Sequence, residues 1–273
     1  MDLLDHQRNV YSQNGEDGVI EAILGVIDAE TQWCCEFGAW DGIHFSNTRR
    51  LIEGGWSAVL IEANETRYEE LVANSGGYPN VHTFQAVVGV HERLESLLDR
   101  TAAPELDLLV VDVDGLDYEI VGGLEVRPRV LCVEVNAGHS PRATESVPRE
   151  VAKHNVGQPL TVFQATAERL GYRLVGYTGN AFYVRSDVPG LPVLTPEEAY
   201  RSFLVHLDQP GRRWLYHVNR GEVPPFHAFH NPYLTREALD LPSTYLGAGI
   251  RARHWLKRST TRASVANPFA KPS

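Results

Sequence analysis

Acidic side chains recur where apolar runs end in this chain. Glu36 lies near the close of the run at 33–37, Glu62 follows the run at 56–61, Asp112 and Asp114 end the stretch LDLLVVDVD, and Glu134 ends the run at 130–135. Ligands of open parallel sheets gather at the carboxyl ends of the strands. Acids repeated at those ends therefore describe a polar crevice above an apolar sheet. Carboxylates there can accept hydrogen bonds from hydroxyl and amino groups, take a proton, or ligate a divalent cation.

The turn after the first run narrows the ligand. Dinucleotide sites use G-x-G-x-x-G, whereas this turn reads G-A-W-D-G, with Gly38 and Gly42 as its glycines and Asp41 inside it. A negative charge in the turn is unfavourable beside a pyrophosphate. It suits a ligand that is cationic or rich in hydroxyls. S-adenosylmethionine carries a sulfonium, an amino group and a ribose, and no phosphate.

These acids need strands to carry them. The periodicity predicts strands near 33–37, 56–61, 81–88, 106–113, 130–135, 172–177 and 181–184, the last two joined at Thr178-Gly179-Asn180. Between them, helical spacing covers 15–27, 47–53 with Ser46 as the cap, 64–74, 91–98, 118–124 and 161–170. Alternation of this kind predicts an α/β fold: a Rossmann-like, mostly parallel sheet of about seven strands with helices on both faces, a three-layer sandwich. The expected organisation is one domain over 1–190 and a C-terminal extension over 191–273. That extension holds a predicted helix at 196–207 and an aromatic, His- and Pro-rich stretch at 209–234. It would serve as a lid over the acceptor, as a homo-oligomer interface, or as both. The basic residues Arg251, Arg253, Lys257, Arg258 and Arg262 form its tail.

Bulk properties set limits. Of 273 residues, 43% are hydrophobic and 22% charged, which is ordinary for a soluble globular protein. A net charge of −10 argues against broad nucleic-acid binding, which needs a basic face. Cys34, Cys35 and Cys132 all fall inside predicted strands, as reduced core thiols of a cytoplasmic protein would. The opening residues MDLLDHQRNV lack the apolar core of a signal peptide, and no apolar run is long enough for a membrane span.

Five stretches together resemble the class I S-adenosylmethionine-dependent methyltransferases, and among them the FkbM-like group. They are YSQNGEDGVI at 11–20, EFGAWDGIHFSNT at 36–48, VLIEAN at 59–64, FQAVVG at 84–89 and VVDVDGLDYEIVGGL at 110–124. The resemblance spans about residues 11 to 185 and implies methyl transfer to oxygen, commonly to a hydroxyl of a sugar or a glycosylated natural product. It implies that Glu36, Gly38, Ala39 and Asp41 line the methionine moiety of the donor. Glu62 would hold the ribose hydroxyls. Ala63 and Asn64 would lie on one side of the adenine and Ala86 and Val87 on the other. Asp112 would lie near the amino group, and Ser12, Gln13 and Asp17 would close over the donor. The family usually shows D-x-E-G where this chain has Asp112-Val113-Asp114-Gly115. That shortening leaves open whether Asp114 faces donor, acceptor or metal.

Methyl transfer from a sulfonium requires alignment of the acceptor and removal of its proton. Asp114, Glu134 and Asn136 are oxygen ligands at adjacent strand ends. They would either bind Mg²⁺ or hydrogen-bond the substrates directly. His139, in the long polar loop after the fifth run, is the expected general base, with Asp114 as the second catalytic candidate. His154, His227 and His230 have weaker claims, and Trp214, Tyr216 and Phe226 could stack on a sugar. Rival readings are a methyltransferase acting on protein or nucleic acid, a binding protein that keeps only the Rossmann core, and NAD-dependent redox chemistry. The motif of amino-group DNA methylation is missing after the fourth run, and the missing third glycine disfavours NAD.

Overall fold

The structure is a computed structural model that describes residues 2–88, 92–113, 115–137, 139, 141–152 and 157–206. The aromatic stretch with Trp214, Tyr216, Phe226, His227 and His230, the basic tail, Asp114 and His154 lie outside the described residues.

Seven strands form one sheet: β1 (Trp33–Phe37), β2 (Ser57–Glu62), β3 (Val81–Gln85), β4 (Leu108–Val111), β5 (Val130–Glu134), β6 (Tyr172–Tyr177) and β7 (Asn180–Arg185). Their order is β3-β2-β1-β4-β5-β7-β6. The first five are parallel, and β7 inserts antiparallel between β5 and β6. This is the expected Rossmann-like, mostly parallel sheet. The sheet order reverses direction at β1, where β2 lies on one side and β4 on the other. A crevice opens beyond the carboxyl ends of the strands at such a point.

Eight α-helices occur among the described residues, after a short 3-10 turn at Leu3–His6: α1 (Glu16–Ile27), α2 (Arg49–Glu53), α3 (Glu65–Ser75), α4 (Leu94–Leu98), α5 (Asp117–Gly122), α6 (Arg149–Ala152), α7 (Leu160–Arg169) and α8 (Pro196–His206). Their placement follows local chemistry. Asn64 caps α3 by accepting the Arg67 N–H at 3.1 Å. The predicted start of α2 shifts. Ser46 accepts the Arg49 N–H at 3.0 Å, but the helix itself begins only at Arg49. The long loop after β5 is interrupted by α6, a single turn that no hydrophobic period announces.

The central strands explain the stability of the frame. Every side chain of β4, Leu-Leu-Val-Val, is buried, as are Cys34, Cys35 and Cys132. Burying each such aliphatic side chain contributes about 1.5–3 kcal/mol. All three thiols are unpaired, and burial raises their pKa well above the ordinary value. The first helix of the expected extension belongs to this core. Tyr200 and Phe203 of α8 pack on Tyr177 of β6, with ring centroids 5.9 and 5.1 Å away. Among the described residues, no helix is long and apolar enough to cross a membrane.

At the opposite end of the sheet from the crevice, one buried ion pair fastens the strand entries. Asp107 is fully buried and accepts the N–H groups of Glu30, Thr31 and Gln32 at 2.7–3.0 Å. Arg129 donates to Asp107 at 3.1 Å and to the carbonyls of Ile27 and Asp28 at the end of α1. Burial pushes the Asp107 carboxyl up, but the N–H groups and Arg129 outweigh it and hold its pKa below the usual range. A carboxyl depressed in the folded state stabilises above its unfolded pKa of about 3.9, and that contribution fades as pH falls through the folded value. Asp107→Asn removes the buried one of Arg129's two carboxylate partners, leaving only the exposed Glu30 at 3.2 Å, and is expected to cost about 3 kcal/mol at pH 7. Thermal melts should show a fall in Tm of roughly 10 °C. A change within about 2 °C would remove the ion pair from the account of stability.

Candidate functional site

The crevice holds a cavity of about 660 Å³. Its lining comes from the carboxyl ends of β1, β2, β4 and β5, the loop after β3, the loop before α1, the loop 38–48, and Asn180 at the start of β7. Of the residues expected at the site, Gln13, Glu36, Gly38, Glu62, Ala63, Asn64, Ala86, Val87, Asp112 and Glu134 line it. Ser12, Asp17, Ala39, Asp41, Asn136 and His139 do not.

Glu36 organises the near wall. Only 2% exposed, it accepts the Asn47 N–H at 2.7 Å, the Ser46 hydroxyl at 2.8 Å and the Thr48 hydroxyl at 2.6 Å. Burial raises its pKa, against the pull of those three donors. The carboxylate thus fills the position just ahead of α2 where a dinucleotide fold would seat a phosphate. Beside it, the buried Asn47 side-chain oxygen has no hydrogen-bond partner among the described residues. Buried polar atoms of this kind are normally satisfied, and this one belongs to a residue that lines the cavity.

The turn at 38–42 is held from two sides. Gly38 has φ +70°, and a Cβ there would lie 1.8 Å from the Asp112 carbonyl oxygen. Only glycine lets the tips of β1 and β4 approach so closely. The Trp40 N–H donates to Glu62 at 2.9 Å, and the Asn64 N–H donates to the same carboxylate at 2.7 Å. Two backbone bonds orient Glu62 and leave further lone pairs for a ligand. Trp40 and Phe45 both take left-handed φ values, 50° and 60°, and are 42% and 53% exposed. Bulky residues in that conformation are strained, and such strain gathers at ligand sites.

The second wall was only partly legible. In the stretch S-Q-N-G-E-D the expected site acid is Asp17, but Glu16 is the acid that lines the cavity. Glu16 is 1% exposed and accepts the Asn14 N–H at 2.7 Å and the Thr178 hydroxyl at 2.8 Å. Burial raises its pKa, opposed by those bonds. Asp17 instead accepts the N–H groups of Val10, Tyr11 and Ser12 and the Ser12 hydroxyl, each at 2.8 Å. It fixes the loop that carries Gln13 and Asn14. Adjacent helical residues point about 100° apart, so the backbone direction at Gly15 decided which acid faces the ligand. His139 is buried and outside the cavity lining, its backbone N–H on the Asn136 carbonyl at 3.2 Å. Among the described residues, no group of three or more His, Cys, Asp or Glu is placed to hold a metal ion. Asp114, the third of the expected metal ligands, lies outside the described residues.

No protein-family model matches this chain, and no curated protein matches it. Solved structures similar to it include a TehB-like SAM-dependent methyltransferase from Corynebacterium glutamicum, at 12% identity and TM-score 0.39 over 65% of this chain and 86% of the other. The N-terminal domain of EvdMO1 with SAH bound is similar at 14% identity and TM-score 0.43, over 63% and 80%. A SAM-dependent methyltransferase from Aquifex aeolicus is similar at 14% identity and TM-score 0.38, over 60% and 86%. With the scores of these structures this low, the fold rests on the sheet order itself.

The close approach at Gly38 yields a test of the site's frame. Gly38→Ala meets a backbone carbonyl that cannot give way cheaply, whereas Gly42→Ala would meet the flexible Leu71 side chain at 2.6 Å. Gly38→Ala is expected to cost about 3 kcal/mol or more and Gly42→Ala less. Equal melting temperatures for the two variants would contradict this reading of the turn.

Proposed function

We propose that this chain is an S-adenosylmethionine-dependent O-methyltransferase acting on a hydroxyl of a small molecule, a sugar or a glycosylated natural product. One observation carries the donor assignment: the charge of the cavity. Glu16, Glu36, Glu62, Asp112 and Glu134 all line it, against His44 and Arg67 as the groups able to carry positive charge. Glu36 already occupies the anion position ahead of α2. A pyrophosphate would meet carboxylates on every side, while a ligand with a sulfonium and an ammonium would find its counter-charges in place.

In this reading Glu62 accepts hydrogen bonds from the ribose hydroxyls. Ala63 and Asn64 flank the adenine opposite Ala86 and Val87. Glu36, Gly38, Asp112 and the unsatisfied Asn47 amide surround the amino-acid portion. Ser12 and Asp17 act indirectly, by holding the loop of Gln13 and Asn14 over the cavity. When bound, the donor supplies an electrophilic methyl group. The chain's own residues must then align the acceptor hydroxyl and accept its proton. Glu16 and Glu134 are the carboxylates on the side away from Glu62, and the raised pKa of Glu16 brings it nearer the range in which a general base works. With Asn14 and Asn180 they give that side a hydrogen-bonding lining suited to an acceptor with hydroxyl groups.

Isothermal titration calorimetry tests the donor. S-adenosylmethionine and S-adenosylhomocysteine should bind in the micromolar range and NAD⁺ should not. Loss of the charged Glu62 contacts in Glu62→Ala should weaken S-adenosylmethionine by roughly 10- to 100-fold. Binding of NAD⁺ in place of S-adenosylmethionine would overturn the proposal.

A further inference from the structure

His44 lines the cavity and has no part in the roles above. Its ring Nδ1 lies 2.5 Å from Asp41 Oδ2. Asp41 is itself fixed: its Oδ1 accepts the Ile43 and His44 N–H groups at 2.9 and 2.8 Å, and its carbonyl accepts from the Asn74 amide. The Asp41 side chain is 9% exposed and that of His44 72%. A buried carboxylate thus orients an imidazole at the rim and leaves Nε2 for a ligand. Burial pushes the Asp41 carboxyl up, but the His44 ring and the two N–H groups prevail and hold its pKa below the usual range.

The other group of the lining able to carry positive charge, Arg67, is paired with Glu70 at 2.7 Å and stacks on Trp40 at 4.7 Å. The remaining ionisable groups of the lining are carboxylates. An amino-acid ligand brings one carboxylate of its own into this acidic cavity, and only the rim at His44 answers it. His44 also lies three residues before the unsatisfied Asn47 amide, which suits the ammonium of the same ligand.

We infer that the Asp41–His44 pair is the carboxylate anchor of the cavity, with His44 Nε2 donating to the α-carboxylate of the donor's amino-acid end and Asp41 positioning the ring. The inference rests on S-adenosylmethionine being the donor, and it adds a specificity: the site reads the complete amino acid, not the nucleoside alone. The test compares S-adenosylmethionine with its decarboxylated analogue, by calorimetry, on wild type, His44→Gln and His44→Arg. Removing a charge-assisted hydrogen bond should weaken S-adenosylmethionine about tenfold or more in His44→Gln. The decarboxylated analogue should bind wild type and His44→Gln alike, and His44→Arg should recover most of the lost affinity. Equal effects of His44→Gln on both compounds, or no effect on either, would overturn the anchor while leaving the donor assignment standing. Failure of wild type to bind either compound would overturn both.

Discussion

The buried carboxylate of Glu36 is the constraint on which the near wall depends. A charge with 2% exposure is tolerable only if donors surround it, and here Ser46, Asn47 and Thr48 all turn toward it. Those three bonds dictate the path of the loop from β1 to α2. The path in turn places Trp40, His44, Phe45 and Asn47 around one cavity. The same bonds occupy the N–H and hydroxyl groups that would otherwise attract a phosphate. A single buried acid therefore shapes the loop and adds to the acidic lining of the cavity.

Two further contacts transmit that shape. Gly38 allows the tips of β1 and β4 to approach, so that Asp112 enters the same cavity. Glu62 ties the Trp40 and Asn64 N–H groups together across β1 and β2. Each of these contacts couples neighbouring strands in the sheet. At the far end, the Asp107–Arg129 pair locks the strand entries to the end of α1. Rigidity at one end and strained, exposed aromatics at the other fit a frame built to hold a ligand.

The sheet and the position of its crevice were legible in the sequence because both follow from local pattern. Runs such as LDLLVV can be satisfied only in buried strands, and acids at their ends have nowhere to go but the rim. The turn at 38–42 was legible from its small residues. Less visible were features that depend on where a side chain points. Asp17 and Glu16 are neighbours of similar type, and only the first turn of α1 separates their roles. His44, three residues after Asp41, carries no sequence signal of its pairing; the turn alone brings Nδ1 onto the carboxylate. His139 carries the right chemistry, and it is buried and outside the cavity lining.

Composition, periodicity and the acids at strand ends thus determined the α/β class, the parallel order of the first strands and the existence of an acidic crevice. These are one-dimensional facts, because burial forces apolar runs inward and leaves charges at the ends. The tertiary structure decided which acids face that crevice and which hold its loops. It also paired Asp41 with His44 and brought Asn180 and Thr178 of the distant hairpin to the same wall as Glu16. Such choices depend on backbone direction at single residues and on contacts more than a hundred positions apart, as in the Glu16–Thr178 bond. No local pattern encodes them, since the free energy of each contact exists only once the whole sheet has closed.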